Sequence, residues 1–361
     1  MGGRYSLRAP GPASAPLGAW RALALASVWA AAWVGAATPA FAQQPAATDI
    51  VVPSAEARHW LARVQQAARS GNYEGTLVYS TGGQVSSSRV RHYSVGGQTY
   101  ELLESMDGRR HRIVRHNDVV QTAWPGSQVA VVEKRETLPA WGTTPQSVDP
   151  LALESYELRH EGASRVAGRE AQVVRLQPRD MLRYAQRLWA DVATGLMLRA
   201  DVLAAAADAR AELKTALESH AFSEISLGVK PRPEQVTQWL NQFEGYQVTR
   251  PLQQRTTLEA EGWALARPVK GFQLAGSLRR SMATAGEGAT VMQAVFTDGL
   301  THVSVFVEPY EPARHQQELQ AQRGATATLT TRRDEHWVTV VGDVPVPTLR
   351  LFVDALERRR P

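Results

Sequence analysis

The chain has 361 residues, is 43% hydrophobic and 21% charged, and carries a formal net charge of +5. That is an ordinary globular composition, too long for one small core, and about two domains are expected. The absence of cysteine excludes disulfides, thiol catalysis and thiolate metal sites.

The first segment reads as a leader, not as part of the fold. Arg4, Arg8 and Arg21 are its only charges, and no acidic residue occurs before Asp49. The apolar run ALALASVWAAAWVGAA is short for a membrane span of about 20 residues. Ala40-Phe41-Ala42 fits the small-x-small cleavage rule, so residues 1–42 read as a cleaved secretory signal peptide. Removing it leaves 37 Lys+Arg against 35 Asp+Glu, a net charge of +2. The basic balance is then slight, and no nucleic-acid partner is expected.

A helix is expected from Ala55 to Ala68, capped by Ser54 and ended by Gly71, with Trp60, Leu61, Val64 and Ala68 as its apolar stripe. A run of strands follows: EGTLVYS, SSSRVRHYSV, QTYELLESM, RRHRIVRH, VVQTAW and QVAVVEKRE. Gly96-Gly97 and Asp107-Gly108 mark hairpin turns, and connections this short make an antiparallel meander. The Pro- and Gly-bearing segment 138–150 is long enough to be a lid. YELRHEG, AQVVRLQP, RLWADVATGLMLRADV and ESHAFSEISL continue the sheet, while AAAADARAE near 204–212 reads either as a helical turn or as a hairpin end. The prolines after Lys230 open a helix bearing Trp239, Leu240 and Phe243, followed by a linker without a clear period. The division expected is 46–230, a helix and linker over 231–262, and a second domain over 263–361.

In that second domain, GEGATVMQAVFTDGLTHVSVFVEP reads as a long hairpin whose tip is Asp298-Gly299, both able to take positive φ. Val303, Val305 and Val307 share one face of its second strand, and apolar groups on both faces predict a central strand. HQQELQAQRG reads as a short helix ending at Gly324, and ATATLTTRRDEHWVTVVGDVP as a second hairpin. A final helix is capped by Thr348, with Leu349, Phe352, Val353 and Leu356 inward. Helices set apart from antiparallel strands give the α+β class.

Enzyme signatures are absent: there is no G-x-S-x-G elbow, H-E-x-x-H, P-loop or kinase set. Asp298 and Glu308 would lie roughly 30 Å apart, far beyond a catalytic carboxylate pair. His111 and His116 fall on opposite faces of a strand, so no metal site is expected, and no cofactor. A hydrolase with an unrecognised site is the enzymatic alternative. Arg89 and Arg91 share one strand face, and Arg110 and Arg112 share another. Such clusters suit phosphate or carboxylate groups of a ligand or partner, the alternative being a solvated face balanced by Glu101, Glu104 and Asp107. Leu77, Tyr79, Tyr100, Leu102 and Trp124 are candidates to line an apolar cavity, the alternative being a filled core.

NYEGTLVYS followed by RVRHYSVGGQTYELLESMDGRRHRIVR is similar to the opening sheet of the RseB/MucB family of periplasmic sigma-E-type stress-response regulators. TDGLTHVSVFVEP, HWVTVVGDVP and the terminal helix resemble that family's second domain. The resemblance covers nearly all of the chain after the leader, departing in the long signal region and the Ala-rich stretch near 204–211. It implies a large antiparallel half-barrel with helices on its concave face, like the lipoprotein carriers, and a smaller α+β C-terminal domain on a flexible linker. It also implies a periplasmic, non-enzymatic role: binding the periplasmic part of a membrane-spanning anti-sigma factor, shielding it from proteolysis, and releasing it to lipopolysaccharide or lipoprotein acyl chains. A carrier or chaperone for lipidated proteins is the alternative, and a homo-oligomer is left open. Export of the full chain should yield a mature N-terminus near Gln43, which N-terminal sequencing of the periplasmic protein checks.

Overall fold

The computed structural model describes residues 49–134, 151–204, 216–242, 244–281 and 290–359. The lid expected over 138–150, the Ala-rich stretch beyond residue 204 and Phe243 lie outside these residues.

The N-terminal half contains β1 (Ile50–Val51), α1 (Ser54–Ser70), β2 (Tyr73–Thr81), β3 (Gln84–Val95), β4 (Gln98–Ser105), β5 (Arg112–His116), β6 (Val119–Trp124) and β7 (Val129–Lys134). It continues with α2 (Ala152–Ser155), β8 (Tyr156–Val166), β9 (Arg169–Pro178), β10 (Ala185–Asp191), β11 (Met197–Leu203), β12 (Ala216–Leu227), α3 (Pro233–Leu240) and β13 (Gln247–Thr249). Its strands form one open sheet in the order β1-β8-β9-β10-β11-β12-β2-β3-β4-β5-β6-β7-β13. The meander is antiparallel as expected, because its short connections are too brief for a parallel crossover. Between β3 and β4 that turn is Gly96-Gly97, both at positive φ (58° and 77°), the geometry that matches the strand twist. The exception is β13, which adds in parallel to β7. Part of the segment read as a linker therefore returns to the first sheet.

Helix α1 buries Ala57, Trp60, Leu61 and Val64 against Leu158, Val174, Leu176, Leu188 and Met197. Each large aliphatic side chain so covered contributes about 1.5–3 kcal/mol. Pro53, not Ser54, is its N-cap.

The C-terminal half contains β14 (Gln253–Thr256), β15 (Trp263–Leu265), β16 (Gln273–Ser281), β17 (Thr290–Thr297), β18 (His302–Pro309), β19 (Leu319–Arg323), β20 (Thr326–Arg333), β21 (His336–Gly342), α4 (Val346–Ala355) and β22 (Leu356–Arg358). Seven strands form a sheet in the order β14-β16-β17-β18-β21-β20-β19, so β18 is central as its two apolar faces predict. Val303, Val305 and Val307 meet Val338, Val340, Leu349 and Phe352 in one core beneath α4.

Two expectations fail here. Residues 319–323 form the edge strand β19, not a helix. Pairing with β20 from Leu319↔Thr330 to Arg323↔Thr326 outweighs the helix propensity of Leu, Gln and Ala. Gly324 (φ 60°) turns that hairpin instead of stopping a helix. Thr348 does not cap α4 either. The cap is Pro345, prolines in the first turn need no N–H partner, and the Thr348 hydroxyl donates to the Leu182 carbonyl at 2.7 Å.

The largest correction is Asp298. It lies in the β17–β18 turn as expected, but it is fully buried, and only Gly299 of the pair has positive φ. One oxygen, Oδ1, accepts the backbone N–H groups of Leu300 (3.0 Å) and Thr301 (2.8 Å). The other, Oδ2, lies 2.8 Å from Arg183 Nε and accepts the Tyr156 hydroxyl at 3.1 Å. Arg183 also reaches Asp180 (2.7 Å) and donates to the Lys270 carbonyl (2.9 Å), with the Phe272 ring at 4.9 Å. Burial, then the Asp298 charge, pushes the Tyr156 hydroxyl well above its ordinary pKa, so it stays a donor. These contacts join the two sheets. Replacing one member of a buried pair leaves an uncompensated charge. Asp298→Ala should lower stability by about 3–5 kcal/mol in urea denaturation, and Asp298→Asn, which keeps an acceptor, should lose less.

Candidate functional site

A groove of about 610 Å³ runs between the two sheets at the β6–β7 end of the first. Val119 of β6 and Val132 of β7 supply apolar surface from one side; Leu278 of β16 and Val295 of β17 supply it from the other. Lys134 and Arg255 bring positive charge to the lining. One wall is fixed by Glu133, whose carboxylate meets Arg280 Nη2 at 2.9 Å and accepts from Gln253 at 3.4 Å. A concave mixed lining of this size can take an extended peptide or an amphiphile with an anionic group. None of the sequence candidates lines it. It forms between strands more than 100 residues apart, and nothing local marks Glu133 or Arg280.

The aromatic and aliphatic candidates divide between the two faces of the first sheet. Register places Leu77, Tyr79 and Trp124 on one face. Leu77 is core, packed with Tyr73, Val90, Leu103 and Phe222, and Tyr79 lies 4.5 Å from the His220 ring. Trp124 is half-buried. Tyr100 and Leu102 take the opposite face with Tyr93, Val114 and, from α3, Val236 and Trp239. The five side chains therefore do not converge on one cavity. Helix α1 covers the first face and α3 the second.

The arginines also separate by environment. Arg89 is exposed on β3, and Arg110 is exposed in the turn before β5. Arg91 is held by Glu104 (3.2 Å) and Glu74 (3.9 Å). Arg112 is buried, its guanidinium 3.6 Å above the Trp239 ring, and burial lowers its pKa. The strand histidines His92 and His116 have structural partners. His92 is buried, its Nδ1 lies 2.7 Å from the Gly71 carbonyl, and its ring stacks on Tyr73 at 4.9 Å. His116 stacks on Tyr100 at 4.6 Å. No group of three metal-type side chains converges among the described residues.

Comparison with known proteins places this architecture. Models of the MucB/RseB N-terminal domain and the MucB/RseB C-terminal domain match residues 56–240 and 257–357. The sigma factor AlgU regulatory protein MucB of Pseudomonas aeruginosa is 32% identical over 305 residues, 82% of this chain and 89% of that protein. The sigma-E factor regulatory protein RseB of Haemophilus influenzae is 25% identical over 306 residues, 84% of this chain and 91% of its own length. Among solved structures, the MucA/MucB complex of Pseudomonas aeruginosa matches with a TM-score of 0.64 and 28% identity, covering 85% of this chain and all of that one. A crystal structure of MucB in complex with MucA(peri) matches with a TM-score of 0.62 and 28% identity, over 84% and 100%. Both domains are matched in order, and the chain belongs to the MucB/RseB family.

Proposed function

We propose that this chain is a periplasmic negative regulator of an envelope-stress sigma factor. It binds the periplasmic part of a membrane-spanning anti-sigma factor, shields it from proteolysis, and releases it to lipopolysaccharide or lipid ligands. The observation that carries this reading is the likeness, over both domains, to MucB solved with MucA(peri). The groove between the sheets supports it. Its apolar walls suit an extended segment of the partner, and its positive groups suit the anionic head of a competing amphiphile. Of the four candidate arginines, Arg89 and Arg110 are the exposed ones, and in this reading they meet acidic groups of the partner.

The test is capture of the periplasmic segment of the cognate anti-sigma factor by the mature protein, with and without lipopolysaccharide. Capture that weakens as lipopolysaccharide is added is expected, as is slower protease digestion of the bound segment. Absence of capture sinks the reading, and capture indifferent to every amphiphile sinks its release step. Arg89→Glu with Arg110→Glu should weaken binding by about tenfold, ~1.4 kcal/mol; unchanged affinity would place both side chains in solvent.

A further inference from the structure

A second contact joins the sheets away from Arg183. Glu218, on β12 of the first sheet, is buried, and its carboxylate accepts the backbone N–H of Ala325 at 3.1 Å. Asp343, in the turn after β21 of the second sheet, accepts the hydroxyl of the next residue, Thr326, at 2.6 Å. Two carboxylates from opposite domains thus meet at adjacent residues where the β19–β20 turn enters β20. A cavity of about 430 Å³ opens here, with Tyr79, Thr81, Glu218, Gln322 and Arg323 in its wall. The approach is close: a Cβ on Gly324 would stand 2.6 Å from the Glu218 carboxylate.

The surrounding charges do not neutralise the pair. From the first domain, Tyr79 and Tyr184 face the cluster, and burial raises the pKa of both, so both are neutral hydroxyls. His220, stacked on Tyr79, is driven down to about 4 by burial and is neutral. From the second domain, His302 lies near Asp343, and burial lowers its pKa too. Arg323 turns its guanidinium to the Gln84 side chain, and Asp298 is taken by Arg183. Among the described residues no Lys or Arg forms an ion pair with Glu218 or Asp343.

We propose that Glu218 and Asp343 form a proton-dependent latch between the two domains, which closes more firmly as the medium turns acid. Like charges brought together out of water favour uptake of a proton, and a protonated carboxyl keeps an accepting oxygen while gaining a donor. Burial, then the charge of Asp343, raises the Glu218 carboxyl, and burial raises Asp343. A carboxyl whose docked pKa exceeds its free value binds protons more tightly when docked. The docked state therefore gains in acid, and the gain fades as pH rises through the docked values. Once ionised, the two groups no longer tighten the junction, which Arg183–Asp298 and Glu133–Arg280 still hold. The latch is a property of the unliganded chain and goes beyond the regulatory reading above.

Because the chain has no cysteine, Val85→Cys on β3 and Leu319→Cys on β19, both exposed, accept one spin label on each sheet. Double electron–electron resonance then follows the inter-domain distance as urea is added, at about pH 7.5 and about pH 5.5. The docked-to-undocked ratio at fixed urea should rise several-fold in acid. Glu218→Gln and Asp343→Asn keep the acceptor oxygens. Each should dock at the higher pH as firmly as the parent does at the lower, with the pH response reduced. The two substitutions should couple at the higher pH and act independently at the lower. A parent without a pH response overturns the latch, as does an undiminished response in both variants. A response lost in His302→Gln but kept in both carboxylate variants assigns the effect to the histidine and also overturns it. No partner is present in the measurement, so its failure leaves the proposed function standing.

Discussion

A buried charge has to be paired where it lies, and in this protein the pair spans two domains. Arg183 follows β9 of the first sheet, and Asp298 closes the β17–β18 turn of the second. Their side chains are fully excluded from water at 2.8 Å. Separated, each would have to recover its hydration or remain uncompensated. The pair therefore sets how the sheets meet, and the rest of the junction follows from it. Tyr156 completes the acceptor shell of Asp298, the Lys270 carbonyl takes a further guanidinium hydrogen, and Thr348 fastens the first turn of α4 to the loop before β10.

Around that pair the junction is polar. Gln322 donates to the Tyr184 hydroxyl, Glu218 accepts from Ala325, and Glu133 pairs with Arg280. The apolar cores lie inside the domains, one under α4 and others beneath α1 and α3. An interface built this way resembles those between domains that move, because little apolar surface is exposed when they part. The groove shares this construction: its walls come from both sheets, so its width is set by how the domains dock.

Alternation and turn chemistry are local, so the strands of the meander, helix α1 and the central position of β18 could be read in advance. The errors lie where a distant partner decides. Residues 319–323 have helix-forming side chains, yet β20 offers a complete ladder of backbone partners. Thr348 stands where a cap belongs, but its hydroxyl bonds across the domain junction. Asp298 carries the turn signal correctly, and its burial depends on an arginine 115 positions earlier. The candidate cavity failed for a related reason. Alternation shows that Leu77 and Tyr79 share a face, and that Tyr100 and Leu102 do. Whether the two pairs share the same face depends on register through β3, which puts them on opposite sides.

The sequence by itself determined the absence of cysteine, the run of antiparallel strands, the α+β class with two domains and, through motifs spread along the chain, the family. Those properties reside in composition and in contacts a few residues long. Tertiary structure alone decided which arginines are exposed, where the groove opens, and that Asp298 and Glu218 are junction residues. Burial and pairing of a charge depend on what the other sheet places against it, and side-chain spacing along one chain does not encode that distance.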